Sequence, residues 1–215
     1  MGEIRLLDRD RKIISEIDRW RVCQGRHIRE LAGFSGQRAC DRRLRKLVQA
    51  GYVERIKILY GVAGIYRITA KGAKLENRIS DRKSKIRIAQ IRHDIAVLDT
   101  AIYFHKIHTV AYSEITTEIQ LHRQDGFGIR KHRPDFIFKK DDKTTCVEIE
   151  LALKAKQRFE NIMKDNFMQY DKQIWVVPDN ESKIAKTLEK NKKLYANIEI
   201  MELSQIQEWI SDSQP

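Results

Sequence analysis

A chain of 215 residues, 41% hydrophobic and 33% charged, is long enough to bury one large or two small cores and too apolar to be disordered. No apolar run approaches the ~20 residues of a membrane span, and the opening Met1-Gly2-Glu3-Ile4-Arg5 lacks the apolar stretch of a secretory signal, so a cytoplasmic location is expected. The formal charge of +12 is uneven: residues 1–80 hold 19 Lys+Arg against 9 Asp+Glu, whereas residues 81–215 hold 23 against 21. Positive charge concentrated in one segment is the footprint of a nucleic-acid surface.

In chain order, Asp8–Arg21 carries Ile13, Ile14, Ile17 and Trp20 at helical spacing. A short helix is expected over His27–Gly33. After Phe34-Ser35-Gly36, with Ser35 as its cap, comes a third helix. Cys40, Leu44, Leu47 and Val48 form that helix's buried stripe. Arg38, Arg42 and Arg45 point away from the stripe, and Arg43 and Lys46 flank it. Two strand-like runs follow, Tyr52–Tyr60 and Ile65–Thr69, joined by Gly61–Gly64. Three helices followed by a hairpin is the order of a winged helix-turn-helix, which places its third helix in the major groove of double-stranded DNA. The wing, with Arg55, Lys57 and Arg67, would lie along the backbone or minor groove. The competing explanation is a basic helical face that serves solubility. Tyr66-Arg67-Ile68-Thr69-Ala70-Lys71-Gly72 resembles the end of the winged-helix region in bacterial regulators and plasmid proteins.

Lys74–Asp81 reads as a helix leaving the wing, and the polar Ser80–Lys85 as the boundary between domains 1–80 and 81–215. Beyond it the pattern predicts a long helix over Ile86–His105, a strand over Val110–Gln120, a loop at Gln124–Gly128 and a hairpin over Asp135–Leu151. A helix over Lys154–Phe167, a strand at Ile174–Val177, a helix over Glu181–Leu194, a strand at Ile198–Met201 and a helix over Ser204–Ile210 complete it. The fold class is α/β in the second half and α+β overall. Cys23, Cys40 and Cys146 are odd in number and far apart, which fits reduced structural thiols.

The hairpin carries the chemistry. Pairing Lys140 with Lys143 across Asp141-Asp142 sets Asp135 opposite Glu148, and alternation puts Glu150 on the same face. Phe136, Phe138, Val147, Ile149 and Leu151 fall on the other face. Carboxylates this close repel unless a cation or a shifted pKa accommodates them. A hard divalent ion, Mg²⁺ or Mn²⁺, held by Asp135, Glu148 and Glu150 would do so. An ordinary solvated strand face is the alternative. Arg130, Lys131 and Arg133 precede the site and suit contacts to a DNA backbone. Glu114 and Glu118, on the expected preceding strand, are weaker candidates for the same metal. Tyr103, Tyr112 and Tyr170 have no local activating group as nucleophiles, and no phosphate-binding Gly-rich loop or Ser/His/Asp arrangement is present.

The order helix–strand–strand–strand–helix–strand, with Pro134-Asp135 and Glu148, resembles the core of the PD-(D/E)xK nuclease superfamily. That resemblance implies a restriction-endonuclease-like mixed sheet. The usual lysine two residues after the second acid is Glu150 here. The resemblance then implies Lys154 as the displaced catalytic lysine, stabilising charge on the phosphate. A second likeness covers nearly the whole chain. A basic winged helix, Ile91-Arg92-His93-Asp94 with Asp99, Arg133-Pro134-Asp135 and Glu148-Ile149-Glu150, followed by Lys154–Ile162 and Tyr170, is similar to the replication-relaxation family. That family includes the C-class mobilisation relaxases of plasmids and integrative elements. This likeness implies a metal-dependent nickase acting at a specific transfer or replication origin, alongside other mobilisation or replication proteins. The alternatives are a non-catalytic DNA-binding regulator or accessory factor with a degenerate nuclease fold, and a module whose second half mainly dimerises. Winged helices often pair on palindromes, so a homodimer stays open.

Overall fold

The computed structural model describes residues 4–57, 63–76, 87–126, 128–129 and 131–212. The chain divides into two compact units, Met1–Leu98 and Asp99–Pro215, and the division falls inside a helix. The expected boundary at residues 80 and 81, the Ser80–Lys85 linker, the wing tip and Arg130 lie outside the described residues.

The first unit contains α1 (Asp8–Arg19), β1 (Cys23–Gln24), α2 (Gly25–Leu31), α3 (Gln37–Gln49), β2 (Val53–Ile56), β3 (Ile65–Ile68) and α4 (Ala70–Leu75). The strands pair antiparallel in the order β1-β3-β2, which adds one strand to the expected hairpin and keeps the winged-helix order. Ile13, Ile14, Ile17, Cys40, Leu44 and Leu47 are buried, as their helical spacing predicts, while Val48 is only partly buried, and Ile65 and Ile68 of β3 join the core. Two details differ. The second helix begins at Gly25 rather than His27, because the His27 ring accepts from the Gln24 N–H at 3.1 Å and closes the first turn. Gly36, not Ser35, is the N-cap of α3, with no side-chain cap bond.

The Thr69–Gly72 turn explains the motif that ends the wing. The Thr69 hydroxyl donates to Gly51 O at 2.6 Å and accepts from Gly72 N–H at 3.1 Å, capping α4 and tying it to the end of α3. Gly72 lies against the Tyr52 carbonyl, and a Cβ there would also meet Ile68 Cγ1 at 2.6 Å.

In the second unit the last part of α5 (Ile88–Ile107) precedes β4 (Ile115–Thr117), α6 (Glu118–Asp125), β5 (Phe136–Lys140), β6 (Lys143–Ile149), α7 (Lys156–Gln169), β7 (Lys172–Val177), α8 (Lys183–Asn191), β8 (Ile198–Glu202) and α9 (Leu203–Asp212). The sheet order is β4-β5-β6-β7-β8. The first two pairings are antiparallel and the last two parallel. Lys140 pairs with Lys143, and Asp141 and Asp142 both take positive φ (50° and 59°), the backbone of a two-residue type I′ turn.

The strand expected over Val110–Gln120 is mostly something else. Only Ile115–Thr117 pairs with β5. Thr117 and Gln120 then form a capping box, with Thr117 N–H donating to Gln120 Oε1 at 3.0 Å, and the chain turns into α6. Glu118 is therefore a helix residue, and Glu114 precedes the strand and accepts from Ala111 N–H at 3.0 Å. The helix expected from Lys154 starts at Lys156, leaving Lys154 in the preceding loop.

One face of the sheet meets α5, where Phe104 packs on Phe136 and Phe138 with ring centroids 6.3 and 5.2 Å apart. The other holds a core of Phe159, Ile162, Met163, Trp175, Val177, Ile184 and Leu188. No described helix is long and apolar enough to cross a membrane.

Gly72→Ala is expected to destabilise the protein by about 1–3 kcal/mol, because the new methyl group has backbone rather than a flexible side chain in its way. Thermal unfolding checks this, and an unchanged midpoint would show that the turn relaxes at no cost.

Candidate functional site

The carboxylates lie where β6 leaves the sheet, on the face covered by α7. Parallel strands need a long crossover, so β6 and β7 can pair only if α7 passes over that face. Glu148 sits level with Trp175 across the β6–β7 ladder, under α7. It is therefore buried (3% exposed), as is Glu150 (4%), which rules out a solvated strand face. Asp135 lies just beyond the last β5–β6 pair, Phe136 with Val147, and its Oδ2 accepts from Ile149 N–H at 2.7 Å.

Each acid has its own surroundings. Glu148 Oε1 accepts from Asn166 Nδ2 of α7 at 2.9 Å and lies 2.6 Å from His132 Nε2. Glu150 is ion-paired through its buried Oε2 with the Lys154 ammonium. Burial, followed by the charges of Glu148 and Asp135, raises the Glu150 pKa above the usual carboxylate range, and Lys154 opposes the shift. Burial pulls the His132 imidazole down, but the hydrogen bond and charge of Glu148 outweigh it, and the net direction is up. Asp135, Glu148, Glu150, Lys154 and His132 thus form one electrostatic cluster.

A second network fixes the segment before Asp135. Arg133 makes a bidentate ion pair with Asp125 at the end of α6. Asp125 is pushed down to about 2, chiefly by its bond to Arg133. Lys131 stands 3.5 Å from the same carboxylate.

Among the described residues no group of three or more His, Cys, Asp or Glu is placed to hold a metal ion. The three-carboxylate shell expected of Asp135, Glu148 and Glu150 is thus not drawn together around one point. The donors still suit a hard cation. Mg²⁺ commonly takes one or two carboxylates and completes its shell with water and substrate phosphate. The Lys154 ammonium occupies Glu150 Oε2, so that oxygen becomes open to such an ion or its water only when Lys154 turns away.

In the first unit Arg38, Arg42, Arg45 and Lys46 are exposed along α3, and Lys57 is exposed after β2. Arg43 is differently placed. It makes a bidentate ion pair with the fully buried Asp10 and so ties α3 to α1, which leaves it little freedom to reach DNA. Arg67 pairs with Glu54 across the wing at 2.5 Å, and Arg55 stacks over Tyr66 at 5.9 Å. His93 faces Asp94 at 3.6 Å, and Asp94 also receives Arg21 and Gln90.

His132, Asn166 and Asp125 were not singled out by their spacing. His132 had a signal, since it stands three residues before Asp135 in a basic run. Asn166 had only its place on the inner face of α7, which is visible once the β6–α7–β7 crossover is known.

Residues 14–174 match the family model described as replication-relaxation. The chain belongs to the replication-relaxation family. The match runs from α1 through the acidic cluster to β7. Family membership points to a role in replication or mobilisation of mobile elements. No curated protein matches the chain.

Within this family member the acidic cluster carries a stability cost. Glu150→Gln is expected to raise the unfolding temperature at neutral pH, because it removes a buried charge facing two others. The part-exposed Lys154 ammonium can then turn to water. The sign follows from the raised pKa. The folded wild type binds its proton more tightly than the unfolded chain, so it loses stability as pH rises from the ordinary glutamate range through the folded value. The variant's advantage should therefore grow over that window. Urea denaturation at a series of pH values measures it, and a variant less stable than wild type throughout would mean that the Lys154 pair outweighs the repulsion.

Proposed function

We propose that this protein is a DNA-binding, metal-dependent endonuclease that nicks one strand at a replication or transfer origin of a mobile element. The supporting observation is the burial of Glu148 and Glu150 beside Asp135, with Lys154 among them, at the exit of β6. Buried like charges are costly and are characteristic of sites where charge must be handled. A mixed sheet with two antiparallel pairings followed by two parallel ones supports the PD-(D/E)xK reading. Exposed Arg38, Arg42, Arg45 and Lys46 on α3 supply the charge for duplex recognition.

Asp135 and Glu148 would hold a Mg²⁺ or Mn²⁺ ion, with Glu150 bonding its water. When bound, the ion supplies Lewis-acid polarisation of the scissile phosphate and lowers the pKa of a water. Lys154 would turn from Glu150 to the phosphate oxygens and stabilise the charge that develops there. Asn166 and His132 keep Glu148 in place and Arg133 anchors the Asp135 segment, so the acids are set before substrate arrives. A non-catalytic regulator is the second reading. It is favoured by Glu150 in place of the expected lysine and by the protein contact each acid already has.

Incubation of the protein with supercoiled plasmid carrying its native flanking DNA, with Mn²⁺, Mg²⁺ or EDTA, separates the two. Wild type should give metal-dependent open circles. Glu148→Gln, which keeps its neighbours' hydrogen bonds, should reduce them roughly a hundredfold or more while duplex binding persists. Tight binding without nicking under every condition would support the regulator.

A further inference from the structure

An open groove of about 590 Å³ runs between the start of α1 and one flank of α3 in the first unit. Leu7 and Arg9 stand on one bank, Ala39, Arg42 and Lys46 on the other, and Phe34 contributes to the lining. Arg43 and Asp10 neutralise each other in their ion pair. Among the described residues that leaves three exposed cations, Arg9, Arg42 and Lys46, against one exposed carboxylate, Asp8, so the groove is positive. Arg9 is also held in place, because its guanidinium stacks over the Phe34 ring at 4.8 Å.

We infer that this groove seats the sugar-phosphate backbone of duplex DNA on the α1 side of α3, with Arg9 as a phosphate contact. The inference rests on the reading of α3 as the duplex-recognition helix. A helix lying in the major groove has a phosphate backbone on either side of it. The wing is less well supplied for that contact than its composition suggests. Arg67 is committed to Glu54, and the tip, Ile58-Leu59-Tyr60-Gly61-Val62, holds no Lys or Arg, which leaves Arg55 and Lys57. Arg9 brings a cation from outside α3, and its stacking on Phe34 leaves it less side-chain freedom to lose on binding. Leu7, 51% exposed beside it, gives the deoxyribose an apolar surface. A phosphate contact carries no sequence information, so its contribution should be the same on any duplex.

Fluorescence anisotropy tests this with the full chain in EDTA, using labelled duplexes of the native flanking DNA and of random sequence. Arg9→Ala should weaken binding to both by the same factor, roughly fivefold, and lower the log–log salt slope by about 0.9, the value of one lost phosphate contact. Arg9→Lys, which keeps the charge, should recover most of the affinity. Lys190→Ala, at an exposed position on α8 of the second unit, removes the same net charge and should leave binding unchanged. Each variant is measured well below its own unfolding temperature. Wild-type affinity and slope in Arg9→Ala, or a loss matched by Lys190→Ala, overturns the groove as a backbone site while α3 keeps its role. A wild type without salt-sensitive duplex affinity overturns the reading of α3 and the groove with it.

Discussion

The parallel pairing of β6 with β7 is the constraint on which the second unit depends. It forces α7 across the sheet, and that crossing turns a polar strand face into an interior. Glu148 and Glu150 are buried by topology rather than by their own preference. Each must then be accommodated locally, Glu148 by Asn166 and His132, and Glu150 by Lys154. Removing one partner from a buried charge typically costs several kcal/mol, on the order of 3–5. The partners are therefore structural as well as chemical, and the cluster is coupled to the packing of Phe159, Met163 and Trp175 around it.

The first unit solves a different problem. Its third helix, α3, carries an exposed cationic surface on a small, rigid support. Arg43 supplies part of the rigidity through Asp10, and the Thr69–Gly72 turn locks the end of the wing to the end of α3. Cations that serve the fold and cations open to a ligand are interleaved along one helix, with Arg42 exposed and Arg43 committed one residue later. Net charge alone cannot separate the two roles, because separation depends on which side of α3 faces α1.

Much of this was legible from local pattern. The Lys140–Lys143 register follows from taking Asp141-Asp142 as the turn, and it places Asp135 just past the last pair, Phe136 with Val147. Helical stripes located α1, α3 and α5 to within a few residues. Errors arose where a cap overrode a propensity, as at Thr117-Glu118-Ile119-Gln120, where β-prone residues enter α6 through a capping box. The site was less legible than the fold. Its acids declare themselves by spacing, but their partners come from a loop sixteen residues before Glu148 and a helix eighteen residues after it. Only the crossover brings those together.

The central claim, that Asp135 and Glu148 are held as a cation-binding pair, is tested most directly by thermal unfolding with and without Mn²⁺. A ligand that binds only the folded state stabilises it by about 2.7 kcal/mol at a hundredfold excess over Kd. Wild type should therefore unfold at a higher temperature in Mn²⁺, and an Asp135→Asn/Glu148→Gln variant should show no such shift. An unchanged midpoint in wild type, or the same increase in both proteins, would contradict the claim and leave the cluster as a neutralised relic in a DNA-binding protein.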